Sequence, residues 1–159
     1  ALLDAGRLVG QLTDRARAGG GASTGHARRA EAADAPLVRG SNIVVAAGGV
    51  TTDEMARRLG NGLWIEEISA GSIELVSGRF RLSFPRARRV RRGRTGDEVG
   101  PGILAGEILS TLKRVEGGMG RQARPYRALG WCSRAGQVVP VQGAAPDILI
   151  RQLSVRSST

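Results

Sequence analysis

Apolar residues along this chain come in short bursts, most of them too brief for a long helix. The cleanest pattern is Arg79–Phe84, where Phe80, Leu82 and Phe84 share one face and Arg79, Arg81 and Ser83 the other. A period of two predicts a half-buried antiparallel strand. We expect it to continue past Pro85 to Val90. Because Pro85 has no amide hydrogen to give to a ladder, the pattern predicts a sheet edge or a bulge there. Further strands are predicted at 37–38, 43–46, 63–69, 72–76, 99–105, 137–141 and 147–155. Ala70-Gly71 is read as a break, and a turn is read at 143–146. Leu2-Leu3 and Leu8-Val9 flank Asp4-Ala5-Gly6-Arg7 in the manner of a tight hairpin.

Two helices are predicted. Thr51 stands three residues before Glu54, with Asp53 and Glu54 in the first turn, Arg57 and Arg58 in the last, and Gly60-Asn61-Gly62 as the stop. Each of these suits one end of the helix dipole or one cap. A second helix is read over 106–115, with Ile108, Leu109 and Leu112 on one side. The stretch 15–36 has no apolar period and reads as a long loop holding the only histidine, His26; the stretch 121–130 reads as irregular. The expected fold is therefore mainly β (α+β): a curled antiparallel sheet or open barrel-like domain with two short helices, a single domain over 1–159.

Composition refines this picture. Apolar residues make up 41% of the 159, enough for a core, yet there are only five aromatics, so packing must rest on Val, Ile, Leu and Ala. The formal charge is +10, carried almost wholly by arginine, and Arg86 to Arg94 holds six of them. Such a run suggests an anionic partner. Without aromatic platforms for bases, the solvated face of a hairpin is the preferred account, and nucleic-acid binding becomes the lesser one. One cysteine excludes an intrachain disulfide. No apolar run reaches the roughly 20 residues that span a bilayer, and a membrane role is not expected.

Chemistry-bearing residues are few. Glu66-Glu67 are read as neighbours on a strand, facing opposite ways, and the glycine clusters lack phosphate-loop spacing. His26 reads as an exposed loop imidazole. Cys132, between Trp131 and Ser133-Arg134-Ala135-Gly136, is either a small buried hydrophobe or a soft metal ligand. Zinc would require several further protein donors, which this chain does not supply.

Several segments, in order, resemble the C-terminal region of the TldD/PmbA family, also known as modulators of DNA gyrase. They are Gly6-Arg7-Leu8-Val9-Gly10, Ala22 through Arg29, Val38-Arg39-Gly40-Ser41-Asn42, Gly62 through Phe84 as a long hairpin, Cys132 through Val141, and Asp147 through Val155. Ser133-Arg134 and His26-Ala27 depart from the family's usual residues. The resemblance implies cytoplasmic proteins that form homo- or heterodimers of TldD- and PmbA-type subunits. It also implies a zinc peptidase activity in the TldD type. There the metal is held by two histidines of a His-Glu-x-x-x-His motif and by a late cysteine, which Cys132 matches; the motif's glutamate is the general base. That motif precedes the first matching segment. The resemblance thus assigns Cys132 as a metal ligand, a TldD-like character, a peptide substrate, and no catalytic residue within this chain, which is expected to be inactive alone. A non-catalytic partner or scaffold subunit, and a basic nucleic-acid-binding module, are the alternatives.

Overall fold

The computed structural model describes residues 1–116, 124–125 and 130–158. The first hairpin forms as read: β1 (Leu3–Asp4) pairs with β2 (Arg7–Leu8), and Ala5 and Gly6 take the left-handed conformations that a two-residue turn needs. Inside the stretch read as loop, β3 (Ala27–Arg28) forms and pairs with β4 (Leu37–Val38), a strand expected from the sequence. Two residues in β3 are too few to leave a periodicity. After β5 (Asn42–Val44) comes α1 (Thr52–Leu59), capped by Thr51, whose hydroxyl accepts from the Glu54 amide at 3.2 Å. The Glu54 side chain does not complete a capping box. It turns along the helix to Arg57 and Arg58, each at 3.0 Å.

β6 (Gly62–Ile65) is shorter than expected, so Glu66 and Glu67 lie beyond its end. Ala70-Gly71 does not break a strand but opens β7 (Ala70–Ile73). β8 (Arg79–Phe84) matches its pattern residue for residue. It does not continue through Pro85: β9 (Ala87–Arg91) belongs to another sheet, and both strands are internal to their sheets. Proline sits where the chain leaves one sheet for the next, so its missing N–H interrupts neither ladder. β10 (Arg94–Val99) and β11 (Gly102–Glu107) follow, and the second helix shrinks to α2 (Ile108–Leu112). Glu107 caps it, accepting from the Leu109 and Ser110 amides at 2.8 Å each. The last strands are β12 (Arg124–Pro125), β13 (Gly130–Arg134), β14 (Gln137–Ala145) and β15 (Ser154–Ser157). The turn expected at 143–146 is instead the end of β14, and residues 147–153 are not strand. Of the irregular stretch 121–130, residues 121–123 and 126–129 lie outside the described residues. The fold is mainly β with two short helices, in open sheets.

These elements fall into two compact units. The first comprises 1–46 and 123–145. It contains the β1–β2 and β3–β4 hairpins and a sheet in which β14 pairs antiparallel with β12 and β13 and parallel with β5. The second comprises 47–122 and 146–159, with sheets ordered β10-β9-β6 and β15-β11-β8-β7. The segment 62–84 is therefore not one hairpin, since β6 and β8 lie in different sheets. The second unit carries a core of Phe84, Ala87 and Leu104, with Leu63, Ile65, Leu82, Val99 and Leu153 against it. Its two phenylalanines lie opposite glycines on β11: Phe80 pairs with Gly106 and Phe84 with Gly102. The ring edges fill the space a Cβ would occupy. Five aromatics suffice because two of them pack on bare backbone.

Candidate functional site

Cys132 lies on β13, within the β13–β14 hairpin, rather than on a turn. Ala135 (φ 48°) and Gly136 (φ 77°) form the two-residue connection, both left-handed as such a turn demands. The turn fixes the register: Arg134 opposite Gln137, Cys132 opposite Val139, Trp131 opposite Pro140. In a hairpin of this kind, directly opposed pairs alternate between hydrogen-bonded and non-bonded. Arg134–Gln137 and Cys132–Val139 are bonded pairs, and Pro140 falls at a non-bonded one. Alternation also sorts the side chains. Cys132, Arg134, Gln137 and Val139 share one face. Trp131, Ser133, Val138 and Pro140 share the other, where Trp131 is 66% and Val138 50% exposed.

The Cys132 face is held from the 26–40 segment by a buried arginine. Arg39 is 2% exposed. Its Nη1 donates to the Cys132 carbonyl at 2.8 Å and lies 3.8 Å from Cys132 Sγ. Its Nη2 donates to the carbonyls of Arg134 (2.9 Å) and Gln137 (3.2 Å) and to Gln137 Oε1 (3.4 Å). The Arg39 amide donates to the His26 carbonyl at 2.9 Å. Neighbouring contacts complete the seam. Arg134 donates to Val38 O (2.5 Å), Arg28 to Gly40 O (3.1 Å) and Pro140 O (2.8 Å), and Gln137 Nε2 to Ala35 O (2.9 Å). A charge-bearing hydrogen bond contributes about 1.5–3 kcal/mol. Burying the charge costs several kcal/mol, so the bonds offset the desolvation and leave a defined geometry rather than a large net gain.

Cys132 itself is half-buried and unpaired with any other cysteine. Among the described residues no group of three or more His, Cys, Asp or Glu side chains gathers. His26 is half-exposed, its Nδ1 2.9 Å from Thr24 Oγ1. What this chain offers a metal is one sulfur: a soft donor, partly open to solvent, on a braced strand. It fits a metal as a single ligand among donors from elsewhere. The arginine run behaves as the solvated hairpin face expected of it. Arg92 and Gly93 make the β9–β10 turn, and Arg88 pairs with Glu66 at 3.2 Å. The residue that sequence reasoning missed is Arg39. No local signal marked it: an arginine beside an apolar strand with no acid within four positions describes Arg79 and Arg81 equally.

The family model for the PmbA/TldA metallopeptidase C-terminal domain matches residues 1–157. The chain belongs to this family. As a PmbA/TldA C-terminal domain it is 32% identical to a metalloprotease of Methanothermobacter thermautotrophicus over 132 residues, 83% of this chain and 28% of that protein. It is 26% identical to the Metalloprotease TldD homolog of Haemophilus influenzae over 156 residues, 97% of this chain and 32% of that one. The chain thus spans about a third of the length of the curated relatives it matches. The crystal structure of TldE from Thermococcus kodakarensis superposes with a TM-score of 0.76 at 15% identity, over 98% of this chain and 33% of that one, and shares its fold.

Proposed function

We propose that this PmbA/TldA domain is the C-terminal part of a TldD-type zinc metallopeptidase acting on peptides. In this reading Cys132 is one zinc ligand, and the two histidines and the general base come from a region not contained in this chain. The chain alone is inactive. The observation that carries the reading is the half-buried Cys132 sulfur on a hairpin whose backbone Arg39 braces at three carbonyls, two on β13 and one on β14. When bound, zinc supplies Lewis-acid chemistry.

The same strand supports a substrate role. β13 ends its sheet, so among the described residues its outer edge has no partner strand. Because Cys132 and Arg134 bond inward to β14, the amides and carbonyls of Trp131 and Ser133 face out. An extended peptide is held by such groups with little regard for its sequence. It would lie beside the sulfur-bearing residue. A homo- or heterodimer with a TldD/PmbA-type subunit and a cytoplasmic location complete the reading. No helix among the described residues is long and apolar enough to cross a membrane.

The test uses the complete protein that carries the histidines. Cys132→Ala is expected to lose both bound zinc, measured by elemental analysis, and cleavage of an unstructured peptide. Unchanged zinc and cleavage would refute the ligand role. The second reading, a non-catalytic partner subunit, draws support from the apolar Leu3–Leu8 pair of the first hairpin, 58% and 70% exposed. It predicts loss of a dimer when these leucines become polar, with no effect of Cys132→Ala.

A further inference from the structure

The first compact unit is unusual in what it buries. Among its described residues the apolar side chain removed from water is Val139, whereas two charged residues, Arg39 and Asp14, are buried with it. No carboxylate among the described residues pairs with Arg39, so its buried guanidinium is held by carbonyl oxygens rather than by an ion pair. Its Nε is buried with no protein group as hydrogen-bond partner. The contacts of its Nη1 converge on one residue. Nη1 lies between the carbonyl oxygen and the sulfur of Cys132, at 2.8 and 3.8 Å, while Nη2 ties down Arg134 and Gln137 on either side of the turn. One rigid, planar fork therefore fixes the backbone of Cys132 and the direction of its side chain together.

We propose that Arg39 is the positioning residue of the metal site: it holds Cys132 Sγ, through an N–H···S contact and the adjacent carbonyl, in the direction a metal completed by outside donors requires. The inference rests on the zinc-ligand reading of Cys132. Metal ligands tolerate displacements of only about 0.2 Å, and partners that orient a ligand typically contribute about 10–100-fold in metal affinity. Lysine cannot replace this arginine, because a single ammonium cannot reach both the Cys132 carbonyl and the two carbonyls flanking the turn in one plane.

The experiment uses the complete protein with cobalt(II) in place of zinc, in which a sulfur-to-cobalt charge-transfer band reports the metal–sulfur bond directly. Zinc affinity is measured in parallel by chelator competition. Arg39→Lys is expected to weaken zinc binding about 10–100-fold and to diminish or shift the band, with kcat reduced more than KM is raised. Arg39→Ala should do the same, and guanidinium ion at low millimolar concentration, occupying the vacated space, should restore the band. If Arg39→Ala does not fold by circular dichroism, Arg39→Lys carries the test by itself. An unaltered band and affinity in a folded Arg39→Lys protein would overturn the positioning role while leaving Cys132 as ligand. A parent protein with no such band, whose zinc affinity survives Cys132→Ala, would overturn both.

Discussion

Replacing Gly102 by alanine would set a methyl carbon 2.4 Å from Phe84 Cζ, 2.9 Å from Phe84 Cε1 and 2.9 Å from the Arg156 carbonyl oxygen. Ordinary carbon contacts begin near 3.5 Å, so the ring would have to retreat by about 1 Å. It has nowhere to go: Phe84 is 3% exposed and packs against Ala87 and Leu104. The third contact is main chain of β15, so the alternative is to part β15 from β11. Overpacking of this kind costs about 1–3 kcal/mol. With a urea dependence of about 2 kcal/mol per molar, a cost of about 2 kcal/mol lowers the unfolding midpoint by about 1 M. Gly100→Ala is the control, two residues away with no atom within 4 Å of its Cβ, and it should be neutral or slightly stabilising. In the double variant Gly102→Ala/Phe84→Leu the losses should be less than additive, because the smaller side chain vacates the clash. A Gly102→Ala midpoint equal to that of Gly100→Ala, or strict additivity in the cycle, would refute the idea that the ring takes the place of a Cβ.

Three further outcomes are expected. Thr51→Ala removes the acceptor for the Glu54 amide and should cost about 1 kcal/mol, read from urea midpoints; no change would mean that α1 is held by packing alone. The Ser110 and Leu109 amides, with a smaller share from the Ser110 side chain, hold the Glu107 carboxyl below its ordinary value of 4.5. A depressed folded value contributes stability that is present above the unfolded value and lost as pH falls through the folded one. Glu107→Gln should therefore flatten the decline in stability below about pH 4.5, and a decline as steep as in the parent would contradict the cap. Short DNA should bind negligibly at physiological salt. Tight binding that falls steeply with salt and vanishes on reversing Arg88, Arg89, Arg91 and Arg92 would restore the nucleic-acid reading.

What the sequence made legible was set by length and local chemistry. β8 carries a full six-residue alternation, α1 has a cap, two end charges and a glycine stop, and the first hairpin has its turn written in Ala5-Gly6. A two-residue strand such as β3, inside a stretch read as loop, leaves no period to read, and the partition of β8 and β9 between sheets depends on long-range pairing that a local pattern does not encode. At the site, the collinear resemblance singled out Cys132, because that residue is distinctive by type. Arg39 was hidden in an abundance of arginines. Its burial arises only when segments 93 to 98 positions apart in the chain meet, at Cys132, Arg134 and Gln137.

Pro140 earns its place in β14 by what it forbids. Turning β14 over, so that Pro140 rather than Val139 bonded to β13, would ask the ladder for a hydrogen that proline does not have. The same inversion would carry Gln137 and Val139 off the face they share with Cys132 and take the Gln137 carbonyl away from Arg39. One imino acid thereby penalises the inverted pairing, while costing nothing in the observed one.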